Sequence, residues 1–253
     1  VMETTRGNRQ LPHGFTREAE IERLSQAIER ALRRRSSILI PSFALGRTQE
    51  ILAHLALLTR AGRLRPQPIY IGGLGRVFTE IYDLEAHRTH RQYPNLQLHD
   101  ALNLEVLDQD RVEDMKLTGG RLFVITAGMM TEHTAAHNLA LRMLEDEKQA
   151  IFFVGYADPE TPGGRLKAAK PGEKFIFSPA VGEMTRACEV EDFSLTAHAS
   201  REDLLDFVGE VEPRVVLLSH GEEDSRQWFA DQIRARHPKI KVVIPEPGEL
   251  VEV

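Results

Sequence analysis

Two histidines stand on consecutive rims in the last third of the chain. One lies in Phe193-Ser194-Leu195-Thr196-Ala197-His198-Ala199-Ser200 and the other in Val215-Val216-Leu217-Leu218-Ser219-His220-Gly221-Glu222. Imidazole binds metal through a neutral nitrogen and donates a proton near neutral pH, so two convergent rings could serve a hydrolytic reaction. Between them Leu204, Leu205, Phe207 and Val208 recur at helical spacing, with Ser200 and Asp203 placed as a cap, which predicts a helix over 201–211. His198 therefore precedes a helix. His220 closes a Val/Leu run long enough for a buried strand, so its ring stands at the strand's carboxyl end. Ligands of strand–helix–strand units gather outside those ends, which makes both rings candidates for one cleft. Taken singly, a loop histidine is more often a solvated residue.

The elements that must position them come next. The chain has 253 residues, 42% of them hydrophobic, enough for a sizeable core in one or two domains. A formal net charge of −6 argues against a generally basic nucleic-acid coat, while leaving room for a local basic groove. The single cysteine, Cys188, excludes an internal disulfide and a Cys-x-x-Cys zinc site, and fits a reducing cytoplasm. No stretch approaches the roughly 18 apolar residues of a membrane span, and no signal peptide precedes the first helix.

From Thr16 to Arg35 the positions Ile21, Leu24, Ile28 and Leu32 predict an amphipathic helix, with Glu18 and Glu20 early and Arg33, Arg34 and Arg35 as its solvated end. Ser37–Pro41 reads as a buried strand, turned by Pro41-Ser42-Phe43-Ala44-Leu45-Gly46-Arg47 into a helix over 48–60. Such a turn can cradle an oxyanion on helix amides with Arg47 beside them, although on these residues alone Gly46 as a tight turn and Arg47 as a surface cation is the commoner reading. Pro68–Ile71 is a second strand, and Gly72-Gly73-Leu74-Gly75 after it is a turn too short of spacing for a nucleotide fingerprint, leading into a helix with Val77, Ile81 and Leu84. His87-x-x-His90 reads as surface. Strands at 122–126 and 150–156 flank a helix over 134–145 with Leu139, Met143 and Leu144 buried. Short strands at 175–177 and 186–190 follow, and strand-like ends at 241–245 and 249–253. This alternation argues for an α/β fold, a mostly parallel sheet flanked by helices.

Thr196-Ala197-His198-Ala199-Ser200 and Leu218-Ser219-His220-Gly221-Glu222 resemble two ordered motifs of the β-CASP branch of metallo-β-lactamase-fold ribonucleases, the group of mRNA 3′-end processing enzymes. Glu3-Thr4-Thr5-Arg6-Gly7-Asn8-Arg9 resembles that family's acidic motif, Pro41-Ser42-Phe43-Ala44-Leu45-Gly46-Arg47 its Pro-x-Phe-Ala-x-Gly-Arg stretch, and the ends at 126–130 and 155–165 two softer elements. The second of these departs from the family at Ala157, where glutamine is usual.

The resemblance covers nearly the whole chain. It implies a β-CASP cassette over 16–173, between 1–15 and 174–253 of a lactamase αββα sandwich. It also implies a zinc-dependent hydrolysis of RNA phosphodiester bonds with two zinc ions expected in the complete protein. His220 would be a metal ligand, His198 the general acid at the scissile phosphate and Glu3 its orienting partner, with Ser42, Arg47, Arg165 and Ser200 on the substrate side. Glu3 and His220 favour RNA over DNA within the family. RNA is the expected partner, no membrane is, and homodimerisation stays open.

The family's His-x-His-x-Asp-His occurs nowhere here and the chain opens at Val1, so the expectation is a fragment lacking the first half of the lactamase domain, inactive alone and holding metal poorly. Two other readings stand beside this one. One is a non-catalytic β-CASP module binding RNA or a partner; the other is a small-substrate hydrolase, which a cassette roofing the cleft disfavours.

Overall fold

The computed structural model describes residues 1–117 and 119–251. In chain order it runs β1 (Met2–Glu3), α1 (Arg17–Arg33), β2 (Ile38–Pro41), α2 (Arg47–Arg60), β3 (Pro68–Gly72), α3 (Leu74–Leu84) and α4 (Leu98–Ala101). There follow β4 (Asn103–Val106), β5 (Leu122–Ile125), α5 (Ala135–Met143), β6 (Ala150–Phe153), α6 (Pro162–Ala168), β7 (Lys174–Ser178), β8 (Gly182–Thr185) and β9 (Glu189–Asp192). The chain closes with α7 (Arg201–Val211), β10 (Val215–Ser219), α8 (Glu223–Arg236) and β11 (Lys241–Val243). These elements form two compact units, Thr16–Leu195 and Val1–Phe15 with the described residues from Thr196 onward.

The larger unit is built on a six-stranded parallel sheet in the order β4-β3-β5-β2-β6-β9. Alternate strand residues leave opposite faces, so each short apolar run feeds two cores. Ile38, Ile40, Ile69, Ile71, Leu122, Val124 and Phe152 pack with Leu24 and Ile28 of α1 and Ile51, Leu52 and Leu55 of α2. Leu39, Phe123, Ile125, Ile151 and Phe153 pack with Leu139, Ala140 and Met143 of α5 and with Leu166 of α6. Adjacent strands β2 and β5 thus continue into helices on opposite faces, which makes the seam between their carboxyl ends a topological switch point. The parallel pairing and the alternation of strand and helix agree with the mostly parallel α/β sheet expected from the sequence.

β9 pairs with β6 as the sheet's last strand, and β7 and β8 form an antiparallel hairpin, so the larger unit runs on to Leu195, past the cassette end expected at 173. The expected strand over 186–190 lies at Glu189–Asp192, and the run from Ala150 ends at Phe153. Leu139, Met143 and Leu144 are buried as expected. Arg33 is 82% exposed at its side chain, a solvated helix end, and His87 and His90 are exposed. On α3, by contrast, Leu74, Val77, Ile81 and Leu84 face outward, because the helix packs through Gly75 and Thr79, with Gln49 Nε2 donating to Thr79 Oγ1 at 3.1 Å.

The smaller unit holds a parallel sheet, β1-β10-β11, covered by α7 and α8. Met2, Leu205, Val208, Val216, Leu218, Phe229, Ala230 and Ile233 are its core. Phe207, grouped with the apolar face of α7 in sequence, is 59% exposed. Glu249, Leu250 and Val251 form no strand, and Glu252 and Val253, the rest of the expected terminal run, lie outside the described residues.

Candidate functional site

β1 is two residues long, and it lies parallel to the end of β10, with Met2 opposite Leu218 and Glu3 opposite Ser219. Met2 is buried in the core, so the two-residue period turns Glu3 away from it. Beyond the strand ends the two segments stay joined. Thr4 N donates to His220 O at 3.2 Å, and Thr4 Oγ1 donates to Ser219 O at 3.0 Å. A Cβ on Gly221 would lie 2.3 Å from Thr4 Oγ1 and 2.8 Å from the Thr4 carbonyl, so only glycine fits after His220.

His220 itself has a left-handed φ of 53°. Such a conformation costs a non-glycine residue on the order of 1 kcal/mol and recurs where a side chain must be aimed. Thr5 Oγ1 donates to His220 O at 3.1 Å and lies 3.0 Å from His220 Nδ1. A carbonyl can only accept, which commits the hydroxyl proton; Nδ1 must therefore be the N–H that donates to Oγ1. This fixes the neutral ring as the tautomer whose free lone pair is on Nε2, the atom a metal would use.

His198 arrives from the other side. Its amide donates to Thr196 Oγ1 at 3.2 Å, and α7 starts three residues later behind a reciprocal cap: Ser200 Oγ accepts from Asp203 N at 3.0 Å, and Asp203 Oδ2 accepts from Ser200 N at 3.3 Å. His198 Nδ1 lies 3.3 Å from Glu3 Oε2, and that oxygen also accepts from Thr5 N at 2.8 Å. The carboxylate is thereby held, and it holds Nδ1 as the protonated nitrogen. The two imidazole rings are 5.4 Å apart and 30° from parallel. Each of Glu3, His198 and His220 offers a ligand atom within 4.8 Å of the others, and among the described residues this is the one such cluster. Nearby, burial and then the charge of Arg9 pull the Arg6 guanidinium below its ordinary value, while Glu202, Glu3 and Asp203 act the other way.

Of the residues singled out in sequence, the fold brings Glu3, His198 and His220 together within the smaller unit, and Ser200 caps the helix that follows His198. Ser42, Arg47 and Arg165 belong to the larger unit. Ser42 is buried, its hydroxyl donating to Ile40 O at 3.3 Å. Arg47 is 7% exposed and ion-paired with Glu50, which Arg17 also grips; burial, then the charge of Arg17, push it down to about 10. Arg165, on α6, lies 3.5 Å from Glu160 in the loop before it. Sequence reasoning missed Thr4 and Thr5. Their position directly after Glu3 was the available signal, but their partners lie more than two hundred residues away.

A Beta-Casp domain family model matches residues 48–166, and a model described as the RNA specificity domain of Zn-dependent metallo-hydrolases matches residues 183–245. The chain is 30% identical to RNase aCSPSF2 of Saccharolobus solfataricus, over 100% of this chain and 48% of that protein. It is 31% identical to Ribonuclease TTHA0252 of Thermus thermophilus, over 88% of this chain and 51% of that protein. Transcription termination factor FttA of Lokiarchaeum is 27% identical, over 99% of this chain and 40% of its own length. The chain thus spans about half the length of the curated relatives it matches.

Proposed function

Since the chain belongs to the β-CASP family of metallo-β-lactamase-fold ribonucleases, we propose that it carries the proton-donating part and one metal ligand of a zinc-dependent, cytoplasmic RNA phosphodiesterase. The observation that carries this reading is the convergence of Glu3, His198 and His220 from two ends of the chain.

Imidazole and carboxylate are donors that zinc accepts, and His220 Nε2 is the ligand atom left open by its hydrogen bonds. When bound, zinc supplies an activated water and charge neutralisation on the phosphoryl oxygens. Glu3 holds His198 by Nδ1, leaving Nε2 to contact the scissile phosphate and to carry the proton given to the leaving oxygen. One ligand is fewer than the roughly six or more a two-ion centre uses, so the remaining ligands are taken to come from outside Glu3, His198 and His220. Ser200, which caps the helix after His198, is proposed on the substrate side of this cluster, and Ser42, Arg47 and Arg165 are proposed as phosphate contacts of the larger unit.

A second reading, RNA binding without cleavage, is favoured by the similarity to a protein named a termination factor. The test uses a longer protein in which these residues are joined to a segment carrying the remaining ligands, with its metal content and its RNA cleavage measured together. His198→Ala should lower cleavage by about 100-fold or more, the usual size of a general-acid contribution, with metal content unchanged; His220→Ala should lose metal. Equal metal loss in both variants would overturn the assigned roles. RNA binding with no cleavage by the wild type would leave the second reading.

A further inference from the structure

At the switch point of the larger unit, a cavity of about 520 Å³ opens outside the carboxyl ends of β2, β3 and β5. Its size is in the range of sites that take a small organic ligand, and its position is where open parallel sheets bind them. Phe43 and Leu74 form exposed apolar walls, 41% and 63% exposed, over the buried side chain of Leu107. The floor is kept open by Gly73, whose φ is 60° and whose Cβ would lie 2.4 Å from Thr126 Oγ1.

The polar groups divide into those already used and those on offer. Thr126 Oγ1 donates to Gly72 O at 3.1 Å, and Thr134 Oγ1 donates to Thr131 O at 2.7 Å while capping α5. Asp108 and Gln109 stand exposed at the rim, their side chains making no hydrogen bond among the described residues. Among the described residues no lysine or arginine lines the cavity, and the exposed His133 stands beside Thr134 on its wall. Arg47, the cation of the same turn as Phe43, is buried against Glu50 instead.

A phosphate would meet the Asp108 carboxylate here and an apolar wall, with neither lysine nor arginine and with the first amides of α3 and α5 beside it. A flat uncharged ring meets an exposed aromatic face, with a carboxylate and an amide at its edge. That is the way proteins hold an unpaired base of single-stranded RNA. We infer that this cavity is a nucleobase pocket, in which one unstacked base of the RNA lies on Phe43 and is read along its edge by Asp108 and Gln109. The choice of RNA as the source of the base rests on the ribonuclease reading above; the choice of a base over a phosphate rests on the cavity alone.

The test titrates adenosine and cytidine, and separately ribose 5-phosphate, into the chain, following the amide resonances of Gly73 and Gly128 by NMR. The nucleosides should shift them saturably and ribose 5-phosphate should not. Phe43→Ala should weaken nucleoside binding by about five- to 150-fold, the loss of one base–aromatic stack, and Phe43→Trp should restore it. Phe43 is partly exposed, so both variants should fold, and their melting temperatures check this. The inference is overturned if the wild type binds no nucleoside, if ribose 5-phosphate competes equally, or if Phe43→Ala binds as the wild type does. Cleavage by the longer protein is scored apart. Cleavage without nucleoside binding removes the pocket alone, and nucleoside binding without cleavage removes the nuclease reading alone.

Discussion

Thr5 ties the two halves of the candidate site through two groups: its amide holds the carboxylate of Glu3, and its hydroxyl sets the tautomer of His220. Valine at this position keeps the shape and the amide but removes the hydroxyl. The His220 ring then loses the acceptor that keeps its proton on Nδ1, and Nε2 is no longer reserved as a lone pair. Thr5→Val should therefore lower metal affinity by about 10- to 100-fold, the usual cost of losing an outer partner of a ligating histidine, and Thr5→Ser should restore it. Metal titration of the longer protein decides; unchanged affinity in Thr5→Val would remove Thr5 from the account. The convergence of His198 and His220 is legible in sequence because each sits in a short motif of characteristic neighbours. The role of Thr5 is not, because a threonine hydroxyl has many uses and only the pairing of β1 with β10 selects this one.

Elements were legible to the extent that their signals were local. α7 is bounded by Ser200 and Asp203 and has the range expected, since a capping box and a helical apolar period reinforce each other over a few residues. α8 escaped notice. Its buried face is Ser225, Phe229, Ala230 and Ile233, a thin stripe among charged residues that propensity alone does not distinguish from a loop. α3 shows the reverse case, a strong apolar period that packs by its small residues and leaves its large ones outside. Ser200 gives the element-scale prediction. Replacing it by alanine removes the hydroxyl that satisfies Asp203 N, so Ser200→Ala should destabilise the chain by about 1 kcal/mol, with Ser200→Thr largely neutral. Denaturant unfolding measures this, and a stability equal to the wild type would mean the cap carries no weight. RNA affinity falling beyond what the stability loss explains would add a substrate-side role for the same hydroxyl.

For the whole molecule, the two-unit organisation is where local sequence says least: the first fifteen residues join a unit whose remainder begins nearly two hundred positions later. The parallel sheet of the larger unit was readable from alternating strand and helix signals, but the order of its strands was not, because pairing of non-adjacent runs leaves no mark on either. That sheet also sets how stability responds to acid. His54 on α2 lies against the core, with Nε2 hydrogen-bonded to nothing among the described residues. Glu50 is 3.7 Å away, yet it is already gripped by Arg17 and Arg47, so its attraction for a proton on the ring is offset. Burial, then the charges of Arg17 and Arg47, push the imidazole down to about 4. An unfolded chain takes that proton near pH 6.5. Between those values the unfolded state binds more protons than the folded one, so stability falls as the pH falls, by on the order of 2 kcal/mol across the window. The carboxyls of Glu20 and Asp146, held below their ordinary values chiefly by the hydrogen bond from Arg23 and by the amide of Lys148, lose their stabilising effect only at lower pH. Unfolding free energies at pH 7 and pH 5 should therefore differ in the wild type and differ much less in His54→Gln; an equal drop in both would show that His54 is not the group that titrates.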